Sequence, residues 1–97
     1  MHKSKTNIAS EHSPRYLTTL CRHFSRKVPA KWDDEKGQVE FPMGECHMAL
    51  SEGRQSLEIE CSAESEQSLK TVELILEKHI EMFSRRERLS IDWSRVS

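Results

Sequence analysis

Apolar residues recur with a helical period in two segments of the chain, and we predict an amphipathic helix in each. In the first segment the apolar residues stand mostly three or four positions apart and so share one helix face. They are Leu17, Leu20, Cys21, Phe24 and Val28. Ser13 can cap the start of this helix, and Pro14 has the backbone geometry of a first helical position. Pro29 then ends it.

The second helix is predicted to start within 62–66, where serines that can cap a helix stand beside acidic residues. Its apolar face continues for several turns and consists of Leu69, Val72, Ile75, Leu76, His79, Ile80 and Phe83. Arginines at 85, 86 and 88 follow, near the helix end where positive charge suits the helix dipole.

Between the helices the period changes to two, which is the pattern of half-buried strands. Apolar and polar residues alternate within 39–41, 46–50 and 57–61, and again within 89–93. Residues 30–32 lead into a turn at 33–37, and a second turn is predicted at 51–54. Because one face of these strands is apolar and the other acidic, we expect an antiparallel sheet with one solvated side.

The fold class predicted from this pattern is α+β, with the element order α-β-β-β-α-β. Both helices are expected on one face of an antiparallel sheet of four or five strands, since each helix has a single apolar side to bury. A chain of 97 residues is too short for two cores, so 13–97 is predicted to be a single domain. Residues 1–12 fit either a flexible N-terminal segment or a short extra strand at 6–9.

Charge is distributed unevenly, although the net charge is only −1. Residues 1–31 hold seven Lys/Arg against one acid (+6), residues 32–83 hold four against thirteen (−9), and residues 84–97 hold four against two (+2). Either the basic ends meet the acidic middle within the fold, or they present a basic patch to an anionic partner. The pI of about 6.5, the acidic strand face and the lack of an aromatic stacking pair disfavour nucleic acid.

Several function classes are disfavoured by what the sequence lacks. No apolar run is long enough to span a membrane, and no signal-peptide pattern follows the basic N-terminus, so a cytoplasmic location is expected. There is no phosphate-binding glycine loop, nucleophile elbow or Cys-x-x-Cys pair. We therefore favour a non-enzyme and assign no catalytic residue, cofactor or metal ligand. An exposed edge strand and three thiols are compatible with a homodimer.

Cysteine and histidine are the residue types that transition metals prefer, and five of them attract attention. They are Cys21, His23, Cys46, His47 and His79. Residues two apart on a helix or adjacent on a strand point in different directions, so Cys21/His23 and Cys46/His47 are poor chelating pairs. Reduced, mostly buried thiols are the expected state of the cysteines.

His23 and His79 form a more interesting pair, since one lies beside the apolar stripe of the first helix and the other within that of the second. If the helices are neighbours, the rings can meet, either as a proton-linked pair or as hydrogen-bonded histidines of a helix interface. Basic residues crowd the first helix and follow the second, so we predict a ligand-binding surface at Arg15, Arg22, His23, Arg26, His79 and Arg86. The alternative is a solvated basic face that pairs with acids of the middle segment.

Three stretches of sequence carry a family resemblance: SPRYLTTLCRHFSRKVP at 13–29, GQVEFPMGEC at 37–46 and LEKHIEMFSRRERLSIDWSR at 76–95. With Phe41-Pro42-x-Gly44 among their motifs, they resemble the bacterial domain-of-unknown-function family 2218. The chain departs from the usual pattern at Ser84-Arg85, where members tend to have an apolar pair. The resemblance implies no established activity or ligand. It does imply an association with siderophore-interacting flavin reductases, as neighbours or fused segments.

Three functions follow from these observations. The leading hypothesis is a non-enzymatic binding or adaptor domain for a protein or a small anionic ligand. The second, which the resemblance implies, is an accessory domain in iron–siderophore handling. The third is a small metal-dependent or hydrolase-like enzyme that uses His23 and His79.

Overall fold

The computed structural model describes residues 1–84, 87, 89 and 91–96 of the chain. These residues form two helices, α1 (Ser13–Phe24) and α2 (Glu66–Phe83), and six strands. The strands are β1 (His2–Ala9), β2 (Ala30–Trp32), β3 (Lys36–Phe41), β4 (Gly44–Leu50), β5 (Ser56–Ala63) and β6 (Ser94–Arg95). Within the described residues, no helix has both the length and the apolar character needed to cross a bilayer.

The strands form one antiparallel sheet in the order β2-β3-β4-β5-β1-β6. β1 is an inner strand that pairs with β5 along its whole length, from His2 opposite Ala63 to Ala9 opposite Ser56. Its alternate residues Ser4, Thr6 and Ile8 are buried, because successive side chains of a strand point to opposite faces. The N-terminal segment is thus built into the sheet.

The predicted fold class is confirmed, whereas the predicted strand number and element order are wrong. The order is β-α-β-β-β-β-α-β, with six strands where four or five were expected. The sequence pattern understates β1 because two of its three buried residues are hydroxyl residues. The last strand is Ser94–Arg95 and not 89–93: Leu89, Ile91 and Trp93 pack against the core without forming a strand.

Both helices cover the same face of the sheet, as their apolar faces predicted. An added Cβ at Gly37 would meet Leu17 and Cys21 of α1, and one at Gly44 would meet Val72 of α2. The two helices bury their apolar residues side by side over the strands. These residues are Tyr16, Leu17, Leu20, Cys21 and Phe24 of α1 and Leu69, Val72, Leu76 and Ile80 of α2.

The helix boundaries differ from the sequence prediction at the start and end of α1. Ser13 is not a cap: it is the first residue of the helix, and its buried hydroxyl donates to the Ser10 carbonyl (2.7 Å). α1 ends at Phe24, and hydrogen-bonded turns continue to Val28, whose N–H donates to the Phe24 carbonyl (2.9 Å). α2 begins as predicted with a serine cap, because Ser65 accepts from the Ser68 N–H.

Gly44 offers a direct test of this packing. In Gly44→Ala the new Cβ would lie 2.5 Å from the Ser62 carbonyl oxygen and 3.0 Å from the Ala63 Cβ, both on β5. We expect the variant to lose roughly 1–3 kcal/mol of unfolding free energy in urea denaturation, because the strand must shift to relieve the overlap. Gly53→Ala is the matched control, since its Cβ meets no atom within 4 Å. It should be neutral or stabilised by up to about 1 kcal/mol, and equal losses in the two variants would contradict the described packing.

Candidate functional site

His23 and His79 meet at the seam between α1 and α2. Their ring centroids are 4.8 Å apart and the ring planes are inclined by 55°. Both side chains are half-buried, so the pair lies at the protein surface. The side-by-side packing of the helices therefore brings together the two histidines singled out in the sequence, which are called the histidine pair below.

Aromatic side chains support the histidine pair from beneath and from the sides. The Phe24 ring lies 4.7 Å from the His79 ring, and the Phe83 ring lies 5.6 Å from that of His23. Phe41 of β3 packs edge-on against Phe24 at 5.1 Å. The floor of the site is thus apolar, and polar ligand groups can approach the rings only from the solvent side.

One ring nitrogen of His79 is already engaged by the backbone of α2. Its Nδ1 lies 2.7 Å from the carbonyl oxygen of Ile75. A carbonyl oxygen only accepts hydrogen bonds, so the proton of the neutral ring is assigned to Nδ1 and the lone pair to Nε2. Protonation converts Nε2 from an acceptor into a donor.

The surroundings of His23 favour its neutral form. Burial lowers its pKa below the ordinary value of 6.5, and the positive charges of His79, Arg26 and Lys27 lower it further. A neutral imidazole at this position is therefore the dominant form at pH 7. A group that brings negative charge to the seam would reverse this preference.

Basic residues extend from α1 towards the histidine pair. Arg15 and Arg22 stand seven residues apart and so share the solvent-exposed face of α1, while Arg26 and Lys27 continue from it in the following turn. These four residues are called the basic stripe below. Among the described residues, no carboxylate forms an ion pair with any of them.

Other basic residues do lie near carboxylates. Arg95 of β6 contacts two glutamates of α2, Glu66 at 2.9 Å and Glu73 at 3.5 Å. Lys5 of β1 stands directly opposite Glu60 of β5 in the sheet. The sheet strands thus match basic ends with acidic partners, whereas the basic stripe stays unmatched within the described part of the chain.

Arg86, the remaining predicted site residue, lies outside the described residues, as do Arg85 and Arg88. The neighbouring Glu87 is described and makes a contact that the sequence analysis missed. Its carboxylate accepts hydrogen bonds from the Tyr16 hydroxyl and from the Ser10 hydroxyl (2.7 and 2.9 Å). This contact ties the segment after α2 to the start of α1. No local periodicity relates residues so far apart in sequence.

The protonation states of this contact indicate a structural role. Burial, followed by the hydrogen bond and charge of Glu87, raises the pKa of Tyr16 to about 12. The hydrogen bonds from Tyr16 and then Ser10 lower the pKa of Glu87. At neutral pH a protonated phenol therefore donates to an ionised carboxylate, and neither group is poised for proton transfer.

The cysteines are buried and free, as the sequence predicted. Cys46 and Cys61 stand opposite each other on β4 and β5, facing the core. Burial raises the pKa of Cys21 to about 11 and that of Cys46 to about 12, so both remain thiols at neutral pH. His47 is exposed on the other face of the sheet. Within the described residues, no three Cys, His, Asp or Glu side chains converge to hold a metal ion.

An open depression of about 650 Å³ lies elsewhere, between the β3–β4 turn and the start of α2. Glu40, Glu45 and Glu64 line it, and none of the predicted site residues does. Its acidic wall makes it unsuitable for an anion. This depression is accordingly separate from the predicted site at the helix seam.

Comparison with known proteins identifies the family. The model of DUF2218, described as an uncharacterized protein conserved in bacteria, matches residues 5–94. The chain belongs to this family. The resemblance seen in the sequence is thereby confirmed, and DUF2218 has no described activity that would assign the histidine pair a role. No curated protein matches the chain.

The fold of this DUF2218 member is also found in a solved structure. The NMR structure of PA4090 from Pseudomonas aeruginosa is similar with a TM-score of 0.80 and 22% sequence identity. The match covers 97% of this chain and 96% of that one. At this identity the similarity supports the arrangement of helices and sheet alone.

The Tyr16–Glu87 contact predicts a specific response to acid. Because the folded-state pKa of Glu87 is lowered, its contribution to stability is present above about pH 4.5 and is lost as pH falls through the folded-state value. Tyr16→Phe should lose about 1–2 kcal/mol at neutral pH and show a smaller acid-induced loss than the wild type. Urea denaturation at several pH values measures both effects. Ser25→Ala, which removes an exposed hydroxyl bonded to the Arg22 carbonyl, is the control. A Tyr16→Phe variant with the same unfolding free energy as the wild type at every pH would refute the contact.

Proposed function

We propose that this protein is a non-enzymatic binding domain that docks an acidic segment of a partner protein on the basic stripe of α1. The unmatched charge of that stripe is the observation that carries the proposal. Arg15, Arg22 and Arg26 are exposed, and no described carboxylate pairs with them. An external anion is the simplest source of the missing counter-charge.

The shape of the surface favours an extended partner over a small anion. Arg15 and Arg22 are roughly 10 Å apart along the helix axis, at about 1.5 Å per residue. A single small carboxylate contacts both guanidinium groups only if the two side chains bend towards each other. An acidic segment that runs along α1 can contact each arginine in turn, and arginine suits such carboxylate contacts because of its fork of N–H donors.

The other two hypotheses receive less support from the described residues. Catalysis by His23 and His79 would need a third polar group, whereas their described ring neighbours are Phe24 and Phe83. An accessory role in iron–siderophore handling rests on the family association alone. A docking surface for an acidic segment accounts for more of the observed charge distribution than either alternative.

Binding of a rhodamine-labelled hexa-aspartate peptide tests the proposal. Wild-type protein should bind it in fluorescence anisotropy at low salt and release it at high salt, as expected for exposed charges. The triple variant Arg15→Gln/Arg22→Gln/Arg26→Gln should bind about tenfold more weakly, since each exposed pair contributes up to about 1 kcal/mol. Its melting temperature should stay within a few degrees of wild type because these side chains are exposed.

The matched control is Lys3→Gln/Lys31→Gln/Lys36→Gln, which removes the same positive charge from exposed positions on the sheet strands. Near wild-type affinity in this control, with loss in the arginine variant, would support docking on α1. Equal losses of peptide affinity in the two triple variants would indicate non-specific charge attraction and reject the proposal. Competition by free succinate at peptide-like concentrations would instead favour a small anionic ligand.

A further inference from the structure

The histidine pair adjoins the basic stripe, so a segment bound along α1 would reach it. The Arg26 N–H donates to the His23 carbonyl (3.3 Å), which fixes the turn that carries Arg26 and Lys27 beside the His23 ring. Arg22 directly precedes His23 at the exposed end of α1. The stripe and the pair thus form one continuous surface at the helix seam.

We infer that the His23–His79 pair is a proton-dependent seat for one carboxylate of the docked acidic segment. The inference rests on the proposed function and adds to it both an anchoring point and a dependence on pH. It means that the domain would hold its partner more tightly in mildly acidic surroundings.

The hydrogen bond inside α2 explains why protonation is required. With Nδ1 of His79 committed to the Ile75 carbonyl, the neutral ring presents a lone pair at Nε2. A carboxylate oxygen is repelled by that lone pair and attracted by the N–H that replaces it on protonation. One proton on Nε2 therefore makes this edge of the His79 ring attract a carboxylate that it would otherwise repel, and the ring does not need to rotate.

Within the described part of the chain, the seam holds no group that could neutralise a protonated pair. From the α1 side the groups that face the pair are Arg26 and Lys27, and both are positive. From the sheet the nearest ring is Phe41, which packs on Phe24 and carries no charge. On α2 the charged neighbours of His79 in sequence, Lys78 and Glu81, are exposed.

No described carboxylate contacts either ring of the histidine pair. Two imidazolium rings at 4.8 Å, next to two further cations, repel one another unless an anion binds to both from the solvent side. The bound carboxylate supplies that anion and receives charge-assisted hydrogen bonds in return. Carboxylate binding and proton uptake are therefore coupled, and each favours the other.

The pH dependence of hexa-aspartate binding measures this coupling. Aspartate stays ionised between about pH 8 and about pH 5.5, while histidine titrates near 6.5, so a change in affinity reports the protein. We expect wild-type affinity to rise about tenfold over this interval, because carboxylate binding and proton uptake favour each other. Calorimetry in two buffers of different ionisation enthalpy should show proton uptake on binding.

His79→Gln and His23→Gln are the diagnostic variants, because an amide donates a hydrogen bond at every pH and has no proton switch. His79→Gln should bind the peptide with an affinity that changes less than about twofold between the two pH values, within the usual error of such measurements. His23→Gln keeps the His79 switch and should show a smaller change in affinity than the wild type. His47→Gln is the matched control: His47 is exposed on the opposite face of the sheet, 3.5 Å from Glu45. It should keep the full wild-type pH dependence. Thermal melts establish that all variants are folded.

The outcomes separate this inference from the proposed function. Peptide binding at pH 8 that does not strengthen on acidification would overturn the inference and leave docking on α1 intact. Wild-type pH dependence in His79→Gln or His23→Gln would overturn it as well. Absence of peptide binding at both pH values would reject the proposed function and the inference together.

Discussion

Two helices pack on one apolar face of the sheet, and this packing determines where the candidate site lies. Each helix has a single apolar side, and the buried apolar residues of β3, β4 and β5 lie on one face of the sheet. The helices must therefore lie side by side. That arrangement brings His23 and His79 to 4.8 Å and turns Arg15 and Arg22 towards solvent. The candidate site is a consequence of how the core is buried.

The distribution of acids on α2 explains why the charge of α1 is left unmatched. Glu66 and Glu73 lie on the side of α2 that faces β6, where they bind Arg95. Glu77 accepts a 2.6 Å hydrogen bond from the Trp93 indole in the same C-terminal segment. These carboxylates hold the end of the chain against α2 and point away from the seam with α1. The described part of the seam receives imidazole and aromatic rings and no carboxylate.

The sequence predicted the amphipathic helices well because their apolar faces repeat locally. It predicted the meeting of His23 and His79 only conditionally, since helix adjacency depends on the whole sheet. The sequence failed to predict features that depend on buried polar residues or on contacts between residues far apart in the chain. β1 buries the hydroxyl residues Ser4 and Thr6, whose polarity hides most of a strand that the sequence offered only at 6–9 and only as an alternative to a flexible segment. Glu87 contacts Tyr16 across the fold, and no spacing rule relates the two. That no described carboxylate pairs with the basic stripe becomes visible only in the folded structure.

Binding of an acidic segment at the helix seam is tested most directly by mapping the peptide contact on the protein by NMR. Titrating uniformly ¹⁵N-labelled protein with hexa-aspartate at about pH 6 tests whether the seam is the binding surface at a pH where histidine titrates. We expect backbone amide shifts to change along α1 and its following turn, from Arg15 to Lys27, and around His79 on α2. Shifts that cluster on the open sheet face around His47, or that scatter evenly over the surface, would contradict it.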